Sequence, residues 1–260
     1  MASLDPRRKC LFTASEIHKL ISNGSTYEPC EFSEDYTCYT KDKNKETGTF
    51  EYNPVCEPPK KGKNVYRYNA DFMTEDAFNY CIAKANPDLY FDREKPSFGN
   101  FSTQYGTDHE HLAVEWLRTK KSIDLIHTGE NQQFFIHSSG MFGATPDGLK
   151  LNDDFVSYEL GVEIKTPDQN THTWNCLVIL TYVLLKKHYP DYYWQCLAGM
   201  EATGADKWLW VSFAPDKITD TERGHVIEIN RADVQHDIDF MLRCITKAHN
   251  FKLQIIEKLS

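Results

Sequence analysis

The chain has 260 residues, with 29 Lys and Arg against 38 Asp and Glu and a formal net charge of −9 at pH 7. Hydrophobic residues at 40% and charged residues at 26% are ordinary globular usage, which excludes global disorder. No apolar run approaches the ~20 residues that span a bilayer, and the acid excess argues against an indiscriminate polyanion binder, which needs clustered Lys and Arg. An enzyme that works on phosphates through cation-holding carboxylates remains open.

Residues 12–22 predict a short helix, with Thr13 or Ser15 as its cap and Ile17, Leu20 and Ile21 at helical spacing. Residues 23–69 then change character. They are rich in Lys, Glu, Asn, Pro and Gly, with Tyr36 to Thr40 and Thr49 to Tyr52 as candidate hairpin strands around Lys43, Asn44 and Lys45. Helices are expected at 71–85 and 101–121, the second carrying Leu112, Trp116 and Leu117 in an apolar stripe. Strand signals follow at 123–128, 133–137, 142–149 with a turn at Pro146-Asp147-Gly148, and 156–165. Helices at 177–187 and 192–203, split at Pro190, precede strands at 208–213 and 225–229. Val234, Ile238, Met241, Leu242 and Ile245 then mark a helix that runs to the end.

This order predicts an α/β (α+β) fold, a central mixed β-sheet flanked by helices. It reads as a single domain over residues 1–260 with a polar insertion at 23–69. Residues 1–9 carry charge with no apolar stretch behind them, so no signal peptide and a cytoplasmic location are expected. None of the eight cysteines forms a CxxC pair, which points to free thiols. Cys30, Cys38 and Cys56 share the insertion, where a metal or a disulfide is the alternative.

The chemistry concentrates in Thr145-Pro146-Asp147-Gly148-Leu149 and Val162-Glu163-Ile164-Lys165-Thr166-Pro167. Asp147 stands at a strand end before a glycine turn. Glu163 and Lys165 are two apart on the next strand, so their side chains share a face. Two carboxylates and an ammonium thus meet at one sheet edge. Phosphodiester hydrolysis uses such a set: hard oxygen ligands suit Mg²⁺, and two ions roughly 3.5–4 Å apart clamp the attacking and leaving oxygens. A lysine beside them orients water or offsets charge on the phosphate. A Pro-Asp-Gly turn alone, or a Glu-x-Lys strand alone, would mean nothing of the kind.

Asp147 with Glu163-Ile164-Lys165 resembles the PD-(D/E)XK nuclease motif. The wider pattern is similar to the phage lambda exonuclease family, the YqaJ-like viral recombinases. Leu11-Phe12-Thr13-Ala14-Ser15-Glu16-Ile17-His18 resembles that family's N-terminal Thr-Ala-Ser segment, and Gly106-Thr107-Asp108-His109-Glu110 its Gly-x-x-x-Glu helix. Thr145 to Leu149 resembles its Ser-Pro-Asp-Gly-Leu turn, Glu163 to Pro167 its Glu-Leu-Lys-Cys-Pro strand, and Tyr193-Trp194-Gln195 its glutamine-bearing helix. The matches span residues 7–245.

The resemblance implies a restriction-endonuclease-like core and a Mg²⁺-dependent (or Mn²⁺-dependent) 5′-to-3′ exonuclease. It would act on linear double-stranded DNA ends and leave 3′ overhangs for recombination by strand annealing. It implies two ions held by Asp147, Glu163, Glu110 and the main-chain carbonyl of Ile164, with Lys165 positioning or activating water. It implies a 5′-phosphate pocket of Arg8, Ser15, Thr145 and Gln195, in which Arg7 is the alternative to Arg8. It further implies a toroidal homotrimer and a single-strand annealing partner. Two other functions share the same residues, a restriction-like DNA endonuclease and an inactive nuclease-fold DNA-binding module. The insertion departs from the family. A DNA-gripping hairpin through Lys41, Lys43 and Lys45, an oligomer contact and a plain surface loop are its three readings.

Overall fold

The computed structural model describes residues 5–21, 27–43, 50–60, 62–69, 72–87, 101–217 and 219–260. A 3₁₀ turn at Pro6–Lys9 leads into the strand β1 (Phe12–Thr13), a second 3₁₀ turn at Ala14–Glu16 and the one-turn helix α1 (His18–Ile21). Strands β2 (Tyr27–Cys30), β3 (Cys38–Lys43), β4 (Phe50–Val55) and β5 (Val65–Tyr68) precede helices α2 (Glu75–Ala85) and α3 (Phe101–Lys121). Strands β6 (Phe135–Ile136), β7 (Phe142–Ala144), β8 (Gly148–Leu151) and β9 (Tyr158–Lys165) follow. Helices α4 (Gln169–Val178), α5 (Tyr182–His188) and α6 (Pro190–Thr203) come next. The chain closes with β10 (Lys207–Phe213), α7 (Asp220–Arg223), β11 (Gly224–Asn230) and the long helix α8 (Arg231–Leu259).

The central sheet has the order β11-β10-β9-β8. β9 and β10 run parallel and the outer pairs antiparallel, so the expected mixed sheet is present. β10 shows why its residues form a central strand. Alternate side chains enter opposite cores, Trp208 and Trp210 on one face, Leu209, Val211 and Phe213 on the other. The first face packs with residues of α6 and α8, and the second with Ala113, Trp116 and Leu117 of α3. On β9, Leu160, Val162 and Ile164 join the α3 side, which leaves Glu163 and Lys165 on the opposite face.

Trp208 fixes the approach of α6 to the sheet. A Cβ on Gly161 would lie 2.2 Å from its ring, and one on Gly199 of α6 2.5 Å from it. An alanine at either position would have to displace a fully buried indole, at a cost of about 1–3 kcal/mol. Gly204, at φ +74°, ends α6 in the left-handed conformation that glycine adopts without a steric penalty.

Several expectations change. Residues 12–22 are not one helix: Phe12 and Thr13 pair in parallel with Phe142 and Gly143, and of the described residues there, which exclude Ser22, only 18–21 are α-helical. The strand expected at 123–128 is reduced to a single bridge, Ile126 to Leu149, and that at 133–137 to Phe135–Ile136. The helix expected at 177–187 is two helices. α4 is capped by Asp168, whose carboxylate accepts from the Asn170 and Thr171 N–H groups, and α5 by Thr181. The break expected at Pro190 is present: α5 ends at His188, and α6 starts at Pro190 itself, in the first turn where proline is tolerated, two residues before the expected Tyr192. The insertion carries four strands, ordered β2-β5-β3-β4, where two were expected. Asn44, Lys45, Thr49 and Asp71 of the expected elements lie outside the described residues. All eight cysteines are free thiols, so the disulfide alternative falls. Among the described residues no helix is long and apolar enough to cross a membrane.

Candidate active site

The hairpin of β8 and β9 builds the acidic edge. The Asp147 N–H donates to the Val162 carbonyl (3.1 Å), and the Ile164 N–H donates to Asp147 Oδ2 (2.6 Å). Asp147 is thereby pinned where β9 presents Glu163. Lys165 Nζ lies 2.6 Å from Glu163 Oε1, and Gln195 Nε2 of α6 donates to the same oxygen at 2.7 Å. Glu110 arrives from α3. Gln132 Nε2 bridges it to Asp147, donating to Glu110 Oε1 (2.9 Å) and Asp147 Oδ1 (3.3 Å). Gly106, one turn before Glu110, lets α3 close on the segment after β9: a Cβ there would lie 3.3 Å from Thr166 Oγ1. Asp147, Glu163, Ile164, Lys165, Glu110 and Gly106 line a cleft of about 780 Å³ together with Tyr192 and Asp168, within the size range of ligand sites.

The electrostatics of the cleft are frustrated. Burial, and then the Glu163 and Glu110 charges, push Asp147 well above the usual carboxylate range. Burial and Glu163 likewise push Glu110 up. Burial would lower Lys165, but Glu163 and Asp147 outweigh it and hold the lysine firmly protonated. Its ammonium also lies 4.7 Å from the Tyr192 ring centre.

A second, smaller pocket of about 50 Å³ adjoins the cleft and shares Glu163 with it. Its lining includes Arg8, Ser15, Thr145 and Gln195, the four residues expected to act together. Arg8 Nη1 donates to Thr145 Oγ1 at 3.3 Å across 137 positions of sequence. Its guanidinium lies 5.5 Å from the Phe134 ring centre, and Lys84 Nζ holds its carbonyl at 3.1 Å. Of Arg7 and Arg8, the structure brings Arg8 to this pocket. Arg7 is exposed and ion-paired with Asp5.

The donor chemistry fits a hard divalent cation. Asp147, Glu163 and Glu110 offer only oxygen, beside the Ile164 main chain, and their mutual repulsion is what a cation would relieve. Among the described residues no three acidic, His or Cys side chains converge as a metal cluster. Each carboxylate is instead turned onto a protein donor: Gln132, the Ile164 N–H, Lys165 or Gln195.

Gln132, Tyr192 and Phe134 were not legible in the sequence as site residues. Gln132 sits before β6, where no periodicity or motif marks it, and Phe134 lies in a stretch whose only signal was that of a strand. Tyr192 sits on the same helix as Gln195, one turn earlier, and that spacing was the available signal.

Residues 70–206 match the family described as the YqaJ-like viral recombinase domain. No curated sequence relative matches the chain. Two solved structures share the fold across nearly the whole length. An alkaline exonuclease (LHK-Exo) from Laribacter hongkongensis aligns at TM-score 0.54 and 18% identity, with 97% of this chain and 96% of that chain covered, and is also known in complex with dAMP. A phage-related exonuclease from Haemophilus somnus 129PT aligns at TM-score 0.60 and 15% identity, with 96% of each chain covered.

Proposed function

The chain belongs to the YqaJ-like viral recombinase domain family, and we propose that it is a metal-dependent exodeoxyribonuclease that digests linear double-stranded DNA from the 5′ end. The observation that carries this reading is the wall shared by the two cavities. Glu163 lines both the open acidic cleft and the small pocket of Arg8, Ser15, Thr145 and Gln195. A closed pocket with an arginine fork and hydroxyl donors suits a terminal phosphate. A strand whose 5′-phosphate rests there presents its next phosphodiester to the cleft, so an end is recognised and the adjacent bond is cut.

In this reading Asp147, Glu163 and Lys165 are the PD-(D/E)XK set. Asp147, Glu163, Glu110 and the Ile164 carbonyl hold Mg²⁺ (Mn²⁺ is the alternative), and their number suits two ions. Bound cations would neutralise charge on the phosphate and lower the pKa of the attacking water. Lys165 is protonated and already donates to Glu163. In this reading it positions or activates the attacking water and offsets charge on the phosphate. Arg8 and the hydroxyls of Thr145 and Ser15 hold the end in register. Gln195 ties the pocket to Glu163 through its amide. The same proposal includes 3′ overhangs as product, a homotrimeric ring around the duplex, and transfer of the overhang to a single-strand annealing protein.

The test is an end-labelled linear duplex incubated with Mg²⁺ beside a closed circle of the same sequence. We expect stepwise shortening of the linear 5′-phosphorylated strand, slower digestion of a 5′-hydroxyl duplex, and intact circles. Cleaved circles would make the enzyme an endonuclease. Equal rates on the two kinds of end would remove the phosphate-pocket assignment.

A further inference from the structure

The sheet formed by the insertion sorts its side chains by chemistry. Residues directly opposite across an antiparallel pair share a face. Tyr27 faces Tyr68, Pro29 faces Tyr66, Tyr66 faces Tyr39, Tyr39 faces Pro54, and Lys41 faces Tyr52. One face therefore carries Tyr27, Tyr39, Tyr52, Tyr66 and Tyr68 together with Lys41 and, two residues along β3, Lys43. Among the described side chains that face holds no carboxylate, in a chain whose net charge is −9. Glu28 and Asp42 fall on the opposite face, paired with Arg67 and Lys63. That face also buries Cys38, Thr40 and Val65, while on the tyrosine face Tyr68, Lys41 and Lys43 are exposed and the other four rings are half-buried.

The rings are organised before any ligand arrives. Tyr27 stacks on Tyr52 with centroids 4.1 Å apart and planes 7° apart. Tyr39 and Tyr68 meet Tyr27 edge-on at 4.8 and 5.8 Å, and Tyr66 meets Tyr52 at 5.4 Å. Lys41 Nζ lies 5.8 Å from the Tyr52 ring centre. Tyr68 is 60% exposed. A solvated sheet face has no need of an aromatic array, and exposed apolar patches mark contact surfaces. Aromatic rings with interleaved cations are the composition that binds unpaired strands: the rings take base faces and the cations take phosphates. A duplex hides its base faces, so it can use only the lysines.

We propose that the tyrosine face of the insertion binds single-stranded DNA. Bases stack on Tyr68 and the Tyr27–Tyr52 group, and Lys41 and Lys43 meet the backbone. The ligand rests on the DNA reading of the cleft, since the strand left unpaired by digestion is the single strand nearest to hand. The surface would hold that strand away from re-annealing.

The test measures anisotropy of a fluorescent 5′-hydroxyl oligo(dT) with the full chain carrying Asp147→Ala, in EDTA. We expect binding that is tighter than for a blunt duplex, and a loss of about tenfold on Tyr68→Ser and again on Lys41→Glu. Thermal melts equal to the parent show that both variants fold. In the otherwise native chain both should digest short linear duplexes at the parental rate. Unchanged affinity in both variants, equal affinity for duplex and oligo(dT), or no binding of oligo(dT) overturns the proposal. Tighter binding of oligo(U) would assign the face to RNA and overturn it too. Failure of the nuclease reading shows up separately, as a wild-type chain that leaves linear duplex intact in Mg²⁺.

Discussion

Asp147 and Glu201 are both enclosed carboxylates, and the fold pushes them in opposite directions. Glu201 sits on α6 between the His137 imidazole and the Arg231 guanidinium. Its oxygens lie 3.4 Å from His137 Nε2 and 2.6 Å from Arg231 Nη1. The hydrogen bond from His137 and the Arg231 guanidinium outweigh burial and hold it at about 2. Arg231 in turn donates to the Met200 and Ala205 carbonyls, closing the C-terminal end of α6. Asp147 has Lys165 nearby, but Glu163 and Glu110 share that lysine, and burial with two like charges raises its proton affinity. One region uses a carboxylate to tie elements together. The other stores unfavourable charge, which a folded chain retains where binding a cation or substrate repays it. The −9 charge of the chain gains meaning from this contrast, since only part of its acid excess is compensated locally.

The contrast predicts where mutations hurt. Removing the charged groups of the cleft should abolish hydrolysis and spare the fold. Asp147→Ala and Lys165→Ala should each lose about 10³-fold or more in kcat, with the melting temperature kept or raised in Asp147→Ala and lowered in Lys165→Ala, which leaves Glu163, Asp147 and Glu110 without their shared cation. Near-parental digestion of linear duplex by either variant would show that the centre lies elsewhere.

Glu201→Gln should do the reverse. It removes the charge on which His137 and Arg231 converge and should cost about 2 kcal/mol of stability, leaving kcat of the folded fraction intact. The folded-state value of Glu201 lies below its ordinary value of 4.5. Its contribution is therefore fully present above that value and is lost as the pH falls towards about 2. Denaturant melts of parent and variant should differ most at neutral pH and converge in acid. A constant difference across that range would mean that packing, not charge, supplies the effect.

The two regions were unequally legible in the sequence. Asp147, Glu163 and Lys165 could be placed together because strand alternation and one turn suffice to do so. Arg8 and Thr145 are 137 positions apart, and only the resemblance joined them. The helix α4 was missed because it buries His172 and Asn175, which bond Ser212 and the Glu222 carbonyl, so apolar periodicity is silent there. The Asp168 cap was its one visible signal. Residues 12–22 do have helical spacing, but a distant strand recruits Phe12 and Thr13, a non-local pairing that overrides local propensity. The same holds for β2 and β5, which join across the whole insertion.

The smallest effect tests the stored charge itself. Because burial and its neighbours raise the Asp147 carboxyl in the fold, ionising it costs the native state more than the unfolded chain. That cost is absent well below its ordinary value of 3.8, grows as the pH rises above it, and levels off once the folded-state group has ionised. Asp147→Asn removes the charge and keeps an acceptor for the Ile164 N–H. In EDTA at neutral pH it should therefore stabilise the chain by about 1 kcal/mol, and the gain should vanish in acid. Mg²⁺ should raise the melting temperature of the parent by mass action and leave the asparagine variant nearly unmoved, so the two curves cross over as the cation is added. An asparagine variant that is less stable than the parent in EDTA would mean that Asp147 is held as Glu201 is, by its hydrogen bonds from Ile164 and Gln132, and the distinction between the two carboxylates would collapse.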